Sequence, residues 1–261
     1  MEQFYLICAY ILSGILGLCV GSFLNVVIYR LPNGMNLAKP ASHCPSCQYQ
    51  LRWYDNIPIL SYIMLGGKCR KCKTHISFRY TAVEIANALC WLLCALLFWE
   101  TSIPLACMNM IVSSLFICIF CIDFEHKIIF DRFQVFLLLL GVVSIFIDEY
   151  HWTSHVIGGV AGFGTFFLIS FGFEKLCGRE GLGGGDVKLA GVVGLLLGWE
   201  RLLLGLLLST IPASVILLIL TRGKEGEDRQ FPFAPFLVVG FGISMLFGTQ
   251  MIDWYLSLFG I

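Results

Sequence analysis

The chain has 261 residues, 58% of them hydrophobic and 13% charged, with a mean hydropathy of +0.84. A soluble domain carries about 25% charged residues, so this chain cannot coat a water-facing surface, which excludes a soluble globular enzyme and a disordered or nucleic-acid-binding chain. Lys+Arg and Asp+Glu both number 17, so no net field points to a polyanionic partner, and the composition is that of a polytopic membrane protein.

In chain order, a first apolar span runs from Phe4 to Ile28. It lacks a basic n-region and a small-residue cleavage site, so it reads as an anchor rather than a cleavable signal peptide. The polar segment Arg30 to Tyr80 follows, carrying Cys44-Pro-Ser-Cys47 and Cys69-Arg-Lys-Cys72. Two CxxC pairs offer four thiolates tetrahedrally to Zn²⁺, a closed shell that folds a loop and does no chemistry. Disulfides, a redox pair or a metal-free ribbon are the alternatives. The remaining cysteines lie in or near apolar stretches and read as small hydrophobes.

Further spans follow at Val83–Phe98, Ile103–Ile122, Phe133–Ile147, Val156–Phe173, Val187–Trp199, Leu202–Leu220 and Phe233–Phe247. The fold expected is therefore an all-α polytopic membrane protein of about eight transmembrane helices with a zinc-ribbon-like cytoplasmic loop. Threading these spans alternately puts every Lys and Arg except Arg201 on one side. By the positive-inside rule that side is cytoplasmic and the amino terminus is outside.

Three acids then share the cytoplasmic edge: Asp123 ends span three, Asp131 precedes span four, and Asp186 opens span six after the run Gly181–Gly185. A carboxylate at membrane depth marks a pathway or a site by default. The span from Asp186 to Trp199 is short of the roughly 30 Å hydrocarbon core, so its edge sinks into the membrane or the bilayer thins there. Glycine there lets a substrate strand approach closely. Two aspartates facing one wet recess make an acid–base dyad sharing a proton. The plain alternative is that Asp123 caps an interface and Asp186 is an N-cap, and that reading is preferred for Asp131. Glu84, at the start of span two, is equally open.

At these residues the chain resembles the bacterial type IV prepilin peptidases, membrane aspartic proteases of the GxGD class. Gly21 to Pro32 is similar to the family's first-span exit, Tyr54 to Ser61 sits between the cysteine pairs as in the family, and Gly183-Gly184-Gly185-Asp186 matches the GxGD motif. Phe231 to Phe236 resembles its proline-rich entry to the last span. The resemblance implies a catalytic pair Asp123 and Asp186, supported by Gly183, Gly185 and Lys188, and a metal loop of Cys44, Cys47, Cys69 and Cys72. It also implies cleavage of a basic leader from prepilins or pseudopilins after glycine, on the cytoplasmic face of the bacterial inner membrane. Methylation of the new N-terminal residue with S-adenosylmethionine is implied as well, by resemblance only and with no residue assigned to hold it. The organisation expected is a first helix (1–29), a four-cysteine loop (30–80) and a seven-helix membrane peptidase domain (81–261), embedded in lipid and without a nucleic-acid partner. A small transporter or a membrane scaffold with a zinc ribbon is the competing class.

Overall fold

In the computed structural model, residues 1–148, 151–178, 182–221 and 232–260 are described. Gly181 and Phe231, and the basic residues Arg179, Arg222, Lys224 and Arg229 counted in the topology above, lie outside them. The described residues form nine α-helices and no strand. These are α1 (Glu2–Arg30), α2 (Leu60–Met64), α3 (Arg79–Phe98), α4 (Ile103–His126), α5 (Asp131–Ile147), α6 (Trp152–Cys177), α7 (Gly184–Leu197), α8 (Trp199–Thr221) and α9 (Ala234–Ser257). Each expected span is helical, but six of these helices (α1, α3, α4, α6, α8 and α9) are long and apolar enough to cross a membrane. The 17 residues of α5 and the 14 of α7 fall short; α7 extends only about 21 Å against a core of about 30 Å. Long apolar side chains such as Val160, Leu168 and Leu218 are about 70% exposed, as expected where lipid, not water, is the solvent.

The chain divides into two compact units, Met1–Cys118 and Ile119–Ile261. In the first, α1 packs along α3. Gly17 and Gly21 permit this, because a Cβ at either would meet the backbone of Ala88 or Glu84 at 2.8 Å. Polar side chains fasten the contact. Asn87 donates to the Gly17 carbonyl at 2.7 Å, the Ser114 hydroxyl donates to Asn87 Oδ1 at 2.7 Å, and Trp91 Nε1 donates to Ser114 at 2.9 Å. Such bonds within hydrocarbon contribute about 0.6 kcal/mol each, up to about 1–2.

In the second unit α7 packs most extensively against α6, then α5. Small residues again set the distance: a Cβ on Gly194 would strike the Gly158 carbonyl, and one on Gly162 the Ala190 carbonyl. Backbone cannot yield as a side chain can, so Gly194→Val is expected to destabilise unit 2 by about 3 kcal/mol, the upper end of ordinary overpacking. Gly164→Ala, on the partner helix α6 but facing open space, should leave the detergent melting temperature within a degree or two of the parent. Equal melting temperatures for both variants would refute the crossing as a packing constraint.

Candidate active site and four-cysteine centre

Asp123 sits near the end of α4 and is buried. The helix stops just beyond it: Lys127 takes a left-handed φ of 56° while its N–H closes onto the Asp123 carbonyl at 2.9 Å. Asp123 is therefore an interior helical residue and not a cap. Asp186 is the third residue of α7, whose N-cap is Gly183 without a side-chain cap bond, so the N-cap reading fails for it too. At that position its charge meets the positive end of the helix dipole.

The two carboxyl groups lie within electrostatic reach of each other. Each keeps a buried oxygen, Asp123 Oδ2 and Asp186 Oδ1, without a hydrogen-bond partner among the described residues. Buried polar atoms are normally satisfied, so each of these two oxygens retains unused acceptor capacity. The backbone N–H of Ala234, at the start of α9, lies near the Asp123 carboxyl.

The glycine turn is held from α5. Gln134 Nε2 donates to the Gly185 carbonyl at 2.8 Å, and a Cβ on Gly185 would press on Ile129 at 3.1 Å. A Cβ on Gly183 would meet Asp186 Oδ2 at 3.3 Å, so the turn leaves that carboxylate room. Lys188 points away from the dyad to Asp131, Nζ to Oδ1 at 2.7 Å. Both partners are largely exposed, which makes the pair a weak surface tie. Asp131 opens α5 without a side-chain cap bond. Gln134 and Ala234 were not foreseen. Gln134 could have been flagged as a buried amide at the mouth of an apolar span.

The cysteine pairs fold into two like turns. In each, the first cysteine's N–H bonds five residues ahead (Cys44 to Tyr49 O, Cys69 to Thr74 O, both 2.9 Å), and its carbonyl accepts from Gln48 or Lys73. Gln48 and Lys73 both take positive φ, 57° and 60°. Isolated antiparallel bridges, His43 with Gln50 and Lys68 with His75, close the turns. The four sulfurs lie within 4.8 Å of one another, with Cys44–Cys72 at 3.8 Å and Cys47–Cys69 at 3.9 Å. A tetrahedral thiolate site with metal–sulfur bonds of about 2.3 Å has edges of about 3.8 Å, so the donor set fits such an ion. All four thiols are free. Hydrogen bonds from Thr74 hold the Cys72 thiol down at about 6, which favours the thiolate a metal needs. Asp55 braces the two turns: it accepts from Arg70 Nε at 2.7 Å, and from the Arg52 N–H and Tyr49 hydroxyl, each at 3.2 Å. Burial pushes its carboxyl up, but these donors outweigh it and hold it below the usual carboxylate range.

The chain matches the Bacterial Peptidase A24 N-terminal domain over residues 15–98 and the Type IV leader peptidase family over residues 110–218. It is 33% identical to a prepilin leader peptidase/N-methyltransferase of Pseudomonas aeruginosa, covering 94% of this chain and 93% of the relative. It is 34% identical to a protein of the same name from Burkholderia pseudomallei, covering 94% and 87%. A further likeness, from Myxococcus xanthus, is 36% identical over 83% of this chain and 65% of that one. No solved structure matches the chain.

Proposed function

The chain belongs to the type IV leader peptidase family, and from that membership we propose how its own residues do the work. It is a multi-pass inner-membrane enzyme that cleaves prepilins and N-methylates the product. Asp123 and Asp186 are the catalytic pair in this reading. The observation that carries it is the juxtaposition of two membrane-edge carboxyls, each with a buried oxygen lacking a partner.

Like charges within electrostatic reach of each other favour sharing one proton. The ionised carboxylate takes a proton from water as the water oxygen attacks the scissile carbonyl. The protonated carboxyl delivers its proton to the leaving amide nitrogen as the C–N bond breaks. The Gly183–Gly185 turn, held by Gln134, admits the extended substrate beside Asp186, and Ala234 orients Asp123. The leader removed is basic and the cut follows glycine, on the cytoplasmic side where the Lys and Arg gather. Cys44, Cys47, Cys69 and Cys72 hold a structural Zn²⁺. S-adenosylmethionine supplies the methyl group of the second activity.

Purified protein incubated with a prepilin whose basic leader ends in Gly-Phe tests the reading by mass spectrometry. Two products divided after that glycine are expected, and one added methyl on the mature fragment when S-adenosylmethionine is present. Intact prepilin after incubation with folded, metal-loaded enzyme would refute it.

A further inference from the structure

Unit 1 contains a polar centre that cleavage by Asp123 and Asp186 leaves unused. A cavity of about 480 Å³ lies among the last turns of α1, the four-cysteine loop and the first turns of α3. That volume is in the range of small-ligand sites, about 300–1,000 Å³. Only Cys44 and Cys69 of the four cysteines border it, so most of its wall is separate from the metal-binding cluster.

Glu84, on the second turn of α3, lines this cavity and is 8% exposed. Its Oε2 accepts from the Ile59 N–H at 2.9 Å, and Ser22 lies beside it. A carboxylate has about four acceptor sites, so capacity remains. Among the described residues no Lys, Arg or His forms an ion pair with it, and a buried charge without a counter-charge is costly. Ile59 is strained as well: this β-branched residue takes φ 60°, a region that bulky side chains avoid and that concentrates at ligand clamps. A strained donor and a carboxyl group without an ion-pair partner thus meet on the cavity wall. Tyr29, Tyr62 and Tyr80 line the same space, and aromatic faces attract cations.

We propose that this cavity binds the methyl donor S-adenosylmethionine, with Glu84 set against its sulfonium cation. The proposal rests on the N-methyltransferase reading above and assigns that activity a place in unit 1. Arg70, also in the lining, spends its Nε on Asp55, and its other N–H groups serve the ligand's carboxylate tail.

Equilibrium dialysis of the full chain in detergent tests this with two probes, S-adenosylmethionine and the neutral thioether S-adenosylhomocysteine. Glu84→Gln keeps an acceptor for the Ile59 N–H and removes only the charge. It is expected to weaken S-adenosylmethionine binding at least about tenfold, equivalent to about 1.4 kcal/mol, and to change thioether binding by less than about threefold. Parallel loss of both ligands, or no loss of either, overturns the proposal, while parent binding leaves the methyltransferase reading standing. A parent protein that binds neither ligand removes that reading and the proposal together. Should the variant not fold, the parent decides: ultraviolet cross-linking of labelled S-adenosylmethionine should tag peptides containing Tyr62 or Tyr80. Label confined to residues beyond Cys118 would refute the assignment.

Discussion

Replacing Asp186 with Asn is expected to lower prepilin cleavage by at least about 10³-fold, within the span of a lost general acid or base. The substitution preserves side-chain volume at the third position of α7 and touches none of the glycine contacts that seat the helix on α6, so melting temperature and metal content should match the parent. Asp123→Asn should do the same, and the double variant should be little worse than either single one, because groups acting as one unit are strongly non-additive. Rates from single-turnover cleavage at saturating prepilin separate the chemical step from binding. A single variant retaining activity within about tenfold of the parent would remove that aspartate from the chemistry.

Stripping the metal should have an effect as large, confined to a different part of the chain. The loop between α1 and α3 has little regular structure: two isolated bridges, the short α2 and the brace at Asp55. Structural zinc contributes apparent free energies of about 10–16 kcal/mol to small domains that lack a core of their own. Cys44→Ser, or chelation of the parent, is therefore expected to release about one metal ion per chain. Amide protection across residues 42–76 should then collapse, while α6 and α7 keep theirs. Elemental analysis and hydrogen exchange on the same preparation provide the check. A loop still protected after complete metal loss would show that Asp55 and the turn hydrogen bonds suffice.

Much of the architecture was legible because lipid imposes simple demands. Apolar runs had to become helices, as Phe4–Ile28 and Leu202–Leu220 did, and the shortness of α7 could be read before its position was known. The paired CxxC spacing likewise foretold sulfurs that converge. Other features left no local trace. Gln48 and Lys73 turn the chain through left-handed backbone without glycine, so nothing in their chemistry announces the turns. Ile59 runs against its own preference, held by a glutamate in another element. The Ala234 N–H that reaches Asp123 is a backbone group from a distant helix, invisible to any reading of side-chain type. Motifs reveal which groups do chemistry, whereas the donors that orient them are set by packing.

The shortness of α7 also bears on how the enzyme is made. Fourteen residues offer too little apolar length for a segment to be retained in a bilayer on its own account, and this one is enclosed by α5, α6 and α8. Its residence in the membrane therefore depends on docking to neighbours, three carbonyl-to-glycine approaches on α6 above all. During biogenesis α6 must await its partner as half of a hairpin, and the helix bearing Asp186 settles only once that hairpin closes. A ribosome-bound fragment ending before α7 thus lacks Asp186, and that residue takes its place at a late step of assembly, after the surrounding helices can confine it.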